Sequence, residues 1–415
     1  MATTDPDHAI EDLLREEAPQ VLGALVRKFS RFDIAEDAVQ EALLVASRRW
    51  PDEGIPAEPR SWLIRVAYRR MIDMVRSEQA ARRREQEAGL ADPAVLAGPA
   101  PAVVDYDDSL LLLLLCCHPA LSQTSQVALT LRAVGGLTTT EIAHAYGAAE
   151  SAMGTRISRA KQRLKQSGAR FEPPSADDLP ARIDAVMTVL YLVFNEGYTA
   201  SSGDRLERVE LTEEAIRLTR MLHRLRPDDA EVTGLLSLML LTQSRRAARA
   251  ESGGELVPLD EQDRSRWDRE LIDEGIALIE SVWPAGNVGP HQLQAAIAAV
   301  HAQATTAAET DWPQIAALYL WLERLLPTDP ISLSRVVAVA KAYGPTRGLA
   351  LLDDLERTHK FSENPLTRHR ELSVRAHLLE ELGDLPAARA AYRSAADLTD
   401  NEVERAYLLG RADDR

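Results

Sequence analysis

"TTTEIAHAYGAAESAMGTRISRAKQRL", Thr138–Leu164, divides into two short helices around a glycine. Thr138 stands three residues before Glu141, the spacing at which a hydroxyl and a carboxylate satisfy the first free N–H groups of a helix. Gly147, with no Cβ to restrict it, is expected to turn the chain. A second helix then runs from about Ala149 to Lys165, with Met153, Ile157, Ala160 and Leu164 as its buried stripe. At about 100° per residue, Ser151, Thr155, Ser158, Arg159 and Gln162 fall on the opposite face. Arg156 and Arg163 border that face on one side, Lys161 and Lys165 on the other. Short polar side chains between two cationic shoulders suit the major groove, with base edges in the middle and phosphates at the rails. No acidic residue occurs from Ser151 to Arg170, whereas a merely solvated face mixes signs. The stretch is therefore a helix-turn-helix candidate. Gly154 costs its helix about 1 kcal/mol relative to alanine, and only close approach to another backbone would account for it.

This basic helix sits in an acidic chain. The 415 residues carry a net charge of -16. Residues 1–172 hold 21 Lys and Arg against 24 Asp and Glu, and residues 173–415 hold the remaining 27 against 40. The acidity thus belongs to the C-terminal half, and the free chain is expected to bind duplex DNA weakly, because such affinity rests on neutralising phosphates. Abundant Ala, Leu, Arg and Glu favour helix throughout. The first residues lack the basic and apolar regions of a signal peptide. The longest apolar run, Leu110–Cys117, is too short to span a bilayer, so no membrane association is expected. The two cysteines, Cys116 and Cys117, are adjacent and ill-suited to a structural disulfide, which points to a reducing cytoplasm.

Catalytic and metal chemistry find little support. Cys116, Cys117 and His118 point about 100° apart on a helix and do not converge on one ion. Glu196 in "FNEGY" has no accompanying base, nucleophile or phosphate loop, and is read as part of a helix-ending turn. No enzyme activity, metal or cofactor is expected.

The fold class expected is all-α. Residues 8–80 form a first helical module, 81–108 an Ala-, Pro- and Gly-rich linker, 109–172 a second module holding the helix-turn-helix, and 180–415 a run of helical hairpins. In the last zone an apolar or small residue recurs at +4 and +7, often with proline near +12: Ala215, Thr219, Leu222 and Pro227; Ile272, Ile276, Ile279 and Pro284; Ile315, Tyr319, Leu322 and Pro327. Gly348, Leu352 and Leu355, then Ala388, Tyr392 and Ala395, repeat it without the proline. These starts lie 57, 43, 33 and 40 residues apart, an irregular α-solenoid of tetratricopeptide type. Each stripe marks the packed face of the second helix of a hairpin. Glu251–Trp267 is read as an inserted loop.

In the first module, Arg65, Arg69 and Arg76 share one helical face, with Asp73 among them, beside an apolar stripe of Ile64, Tyr68, Met71 and Val75. From Arg60 to Arg84 there are eight arginines against two carboxylates. Cations beside aromatics suit unstacked single-stranded DNA, and Trp62 is either a core residue or a wall for such a strand.

Residues Leu121–Leu164 resemble region 4 of bacterial sigma factors, which reads the −35 promoter element. "FDIAEDAVQEALLVASRRW" (Phe32–Trp50) resembles the region 2 helix that docks on a coiled coil of the largest polymerase subunit, and "PRSWLIRVAYRRMIDMVR" (Pro59–Arg76) resembles the helix that engages the −10 element. Two regions without a third between them are similar to the extracytoplasmic-function class, in the subgroup with a long C-terminal extension. The resemblance implies −35 contacts from Ser151, Thr155, Arg156, Ser158, Arg159, Gln162 and Arg163, and −10 contacts from Arg60, Trp62, Arg65, Arg69 and Arg76. It implies polymerase docking by Asp37, Gln40, Glu41 and Leu44, and a specificity loop at "PDEGIPAEPR". Core RNA polymerase (its coiled coil and flap) and promoter DNA are the partners implied. The C-terminal domain is expected to regulate activity, through contacts with the two modules or with polymerase. The competing reading is a helix-turn-helix regulator with a repeat-built sensor that acts without a sigma role.

Overall fold

Eighteen α-helices and no β-strand beyond one isolated bridge occur among the described residues of the computed structural model, namely 6–85, 108–146, 148–200, 206–250, 256–283, 286, 288–363 and 365–413. They group into two compact units, Met1–Leu192 and Val193–Arg415.

In the first unit, α1 (Pro6–Phe29), α2 (Phe32–Glu53) and α3 (Pro59–Glu85) form a bundle. Its core holds Leu22, Leu25, Ala42, Ala46, Leu63, Ile64 and Met71, all buried. The helix α3 runs through Glu85, so the start of the expected linker is helical, and residues 86–107 lie outside the described residues. The proposed loop before Arg60 is also shorter: Pro51–Glu53 finish α2, and Gly54, with φ of 81°, begins the turn. Next come α4 (Ser109–Cys116), α5 (Gln123–Ala133), α6 (Thr139–Ala145) and α7 (Glu150–Ser167).

These two modules are expected from sequence as separate bodies on a linker, yet they pack together. The helix α1 lies against α4 and α5, and α2 against α7. Gln20 Nε2 donates to Ser109 Oγ at 3.1 Å, and Arg27 pairs with the buried Asp108. The approach is close enough that a Cβ on Gly23 would stand 2.4 Å from that of Asp108.

Helix α8 (Leu179–Tyr198) carries the division between the units. Ten helices follow: α9 (Val209–Leu225), α10 (Ala230–Gln243), α11 (Arg269–Val282), α12 (Pro290–Gln303), α13 (Trp312–Leu325), α14 (Asp329–Tyr343), α15 (Pro345–His359), α16 (Pro365–Glu381), α17 (Leu385–Ala396) and α18 (Glu402–Asp413). The helices of the pairs α10/α11, α12/α13, α14/α15 and α16/α17 pack against each other, as do α10 with α12 and α14 with α16. The repeated stripes fall on the second helix of each pair: Ile272 and Ile279, Ile315 and Leu322, Leu352 and Leu355, and Ala388, Tyr392 and Ala395 are buried. Pro284 lies outside the described residues. So do 251–255 of the inserted loop, whose later part is pinned by Arg264. This buried guanidinium donates to the carbonyls of His301 at 2.7 Å and Ala304 at 2.8 Å, at the end of α12.

Gly197, expected in a turn, lies inside the last turn of α8. A Cβ there would meet the Thr212 backbone nitrogen at 2.6 Å. Its neighbour Glu196 faces Arg208 at 3.6 Å.

Candidate nucleic-acid interface

The helix-turn-helix forms for the reason its first residues suggest. The Thr138 N–H donates to Glu141 Oε2 at 2.6 Å, and the Glu141 N–H donates to Thr138 Oγ1 at 3.1 Å, so two otherwise unpaired backbone donors are satisfied at the start of α6. The intervening Gly147 lies outside the described residues. Helix α7 buries Met153, Ile157, Ala160 and Leu164 and ends at Gly168 in the left-handed conformation, with φ of 70°.

The opposite face of α7 is open. Ser151, Thr155, Arg156, Ser158, Arg159, Gln162 and Arg163 are all exposed. The Thr155 hydroxyl donates back to the Ser151 carbonyl at 2.8 Å, which leaves its oxygen able to accept. Arg156, Arg159 and Arg163 have no ion-pair partner among the described residues. Gly154 finds no backbone within 4 Å; the nearest contact for an added Cβ is Thr139 Cγ2 at 3.8 Å. Close approach is therefore not the reason for this glycine, and the structure supplies no other.

One shoulder of α7 behaves otherwise. Lys161 Nζ lies 2.8 Å from Glu36 Oε2 and 2.6 Å from Asp37 Oδ1, and Lys165 Nζ lies 3.0 Å from Asp33 Oδ2. Arg132 of α5 adds a bond from its Nε to Glu36 Oε1 at 2.8 Å, while Gln40 Nε2 donates to the Arg132 carbonyl at 3.0 Å. Of the four residues expected to meet polymerase, Asp37 and Gln40 are thus engaged with the second module. Glu41 pairs with Arg70 at 3.2 Å, and Leu44 is an exposed large hydrophobic residue.

The electrostatics follow from this pairing. Burial alone would push the Asp33 carboxyl up, but hydrogen bonds and charge from Arg31 and Lys165 prevail and hold it down at about 2. Asp37 shifts upward, because burial and the neighbouring Glu36 outweigh Lys161. Burial would lower the Lys161 ammonium, but Glu36 and Asp37 raise it.

On α3, Arg65, Arg69 and Arg76 are exposed, with no ion-pair partner among the described residues, and they form one open cationic strip. Arg60 is not part of it: its Nε lies 2.6 Å from Glu17 of α1, where the guanidinium ties two helices together. Trp62 is half-buried edge-to-face against the buried Trp50, with ring centroids 5.5 Å apart, so it is anchored on one side and open on the other. Lys28 lies 5.0 Å from the ring centre of Tyr68, a cation beside an aromatic that no spacing in the chain singles out.

Cys116 and Cys117 are buried. Cys117 Sγ lies 3.7 Å from Thr130 Oγ1, and burial pushes its thiol up to about 12. Among the described residues no His, Cys, Asp and Glu gather into a metal-binding set, and no helix is long and apolar enough to cross a membrane.

Known proteins bear on these surfaces. Residues 13–81 match the family Sigma-70 region 2, and residues 111–164 match Sigma-70, region 4. Residues 182–283 match a family of unknown function, DUF6596. An uncharacterized protein of Rhizobium meliloti (strain 1021), R00370, is 42% identical over 400 residues, covering 95% of this chain and 93% of the relative. A protein of Mycobacterium ulcerans (strain Agy99), named ECF RNA polymerase sigma factor SigK, is 27% identical over 159 residues, 36% of this chain and 75% of that protein.

Proposed function

Because the chain belongs to the sigma-70 family, as an extracytoplasmic-function-type factor with a C-terminal extension, we propose that it selects promoters for core RNA polymerase through two separate cationic faces. One is the exposed face of α7, which reads an intact duplex at the −35 element. The other is the strip Arg65, Arg69 and Arg76 on α3, with Trp62 beside it, which takes the melted strand of the −10 element. Cations along the backbone and an aromatic wall are what unstacked bases need. The acidic face and exposed Leu44 of α2 are the docking surface for the polymerase coiled coil.

The observation that carries this reading is the pair of faces, each free of ion-pair partners on its own module and in the order of regions 2 and 4. A regulator with a single reading head has no need of α2 and α3. Family membership also explains why an acidic chain works on DNA: polymerase supplies affinity, and the subunit supplies selectivity. Transcription by purified core polymerase on genomic templates is the test. The full chain should yield discrete start sites, and their absence would sink the proposal.

The C-terminal unit is proposed as a tetratricopeptide-type domain that governs this activity in the cytoplasm. Its support is the recurrence of buried stripes on α11, α13, α15 and α17. Removing residues 199–415 should change transcription strongly; unchanged output from the truncated protein would exclude a regulatory role.

A further inference from the structure

Pro258, Leu259 and Asp260 close one side of a cavity of about 510 Å³ inside the second unit. Helices α12 to α14 and α16 to α18 supply most of the remaining wall. Five rings line it, those of His301, Trp312, His377, Tyr392 and Tyr407. A cavity of this size, with a wall mainly apolar and aromatic, has the character of a small-molecule site.

The charges in the wall are unequally matched. Lys341 is paired twice, with Asp260 at 3.3 Å and with Glu381 at 2.9 Å. Arg264 is 6% exposed, yet no carboxylate stands within ion-pair distance of it among the described residues; Glu309 acts on it from further away. Its guanidinium lies 4.9 Å from the ring centre of Trp267 and donates to the Thr310 hydroxyl at 2.9 Å. It also donates to the two carbonyls that end α12, and the dipole of that helix end offsets part of its charge. The Arg264 Nε is nevertheless buried without a hydrogen-bond partner, as is Nδ1 of His301. Burial, with the charges of Arg245 and Arg264, lowers His301 to about 3, so its ring is neutral and adds no second cation. A buried cation without an anion, beside unpaired polar atoms, is costly unless something arrives to pair with them.

We propose that this cavity binds a small aromatic carboxylate, its ring among Trp312, Tyr392 and Tyr407 and its single negative charge at Arg264. One anion matches one guanidinium that lacks a carboxylate. A dianion would bury a surplus charge, and a cationic ligand would be repelled. The site stands independently of the two DNA-facing surfaces, and its test needs neither polymerase nor promoter.

Calorimetric titration of the full chain with 2-naphthoate, and with its uncharged counterpart 2-naphthamide, reads the proposal. The carboxylate should bind saturably and about tenfold more tightly than the amide, the difference between a charged and a neutral hydrogen bond. Arg264→Gln should weaken naphthoate about tenfold and leave it no tighter than the amide. The control Arg357→Gln removes a charge from a side chain that is 72% exposed and should change neither affinity. Because Arg264 also holds the loop, a second variant acts from another wall: Val337→Trp, on α14, fills the cavity and should abolish binding of both probes. Should Val337→Trp fail to fold, Ser373→Met narrows the cavity from α16 and should weaken both. No saturable binding of naphthoate, equal affinity for the amide, or binding that survives the filled cavity would overturn the site. Tighter binding of an octapeptide ending in a free tryptophan carboxylate would overturn a small molecule as its occupant.

Discussion

Gly234 of α10 lies so near Gln292 of α12 that a Cβ on it would stand 2.7 Å from the Gln292 backbone nitrogen. Backbone cannot step aside as a side-chain tip can. Gly234→Ala should force the two helices apart and cost about 1–3 kcal/mol, the range for overpacking a close-packed site. In a unit of this size that is a fall of several degrees in melting temperature, about 2–4 °C per kcal/mol, measurable by calorimetry.

Gly154 gives the opposite prediction. Its Cβ position is open, and its helical conformation is one that alanine prefers. Gly154→Ala should stabilise the first unit by about 1 kcal/mol, read as a higher urea midpoint without a change in slope.

Arg159 and Arg163 should separate by phenotype. Arg159→Ala, in the middle of the exposed face, should relax discrimination at one −35 position by about 1–3 kcal/mol. Arg163→Ala, on the shoulder, should weaken binding on all sequences alike and flatten the salt slope by about 1. Binding titrations across a set of single-base −35 variants distinguish the two. If neither change moved promoter choice or strength, the face assigned to α7 would be wrong.

His301 sets a pH dependence. Burial first, then the charges of Arg245 and Arg264, lower its pKa to about 3. Its ring stands edge-on to Trp312, with centroids 5.1 Å apart. The unfolded chain binds a proton near the ordinary value of about 6.5 that the folded unit refuses, so stability is greatest above that pH and declines as pH falls toward about 3. The slope from this one group is at most about 1.4 kcal/mol per pH unit. His301→Gln should make the melting temperature of the second unit less sensitive between pH 7 and pH 5. His291, also held low by burial at about 4, should leave a residual slope.

What the sequence disclosed was local periodicity. The Thr138–Glu141 cap, the stripe Met153–Ile157–Ala160–Leu164 and the exposed polar face of α7 follow from spacing alone, as do the buried stripes of the C-terminal hairpins. Contacts between distant segments were not legible. Nothing near Glu36 announces a partner 125 residues later, and the Arg60 guanidinium in a run of basic residues gives no sign that Glu17 claims it. Gly197 looked like a turn because the helix it approaches starts a dozen residues further on. Docking of one module on another depends on the shape of both, which charge patterns along a single helix do not encode.

The two thiols carry a last consequence. Peroxide and electrophiles react with thiolates, and burial of Cys116 and Cys117 keeps both protonated and out of reach. Oxidative stress therefore has no direct handle on the folded protein through its sulfhydryls.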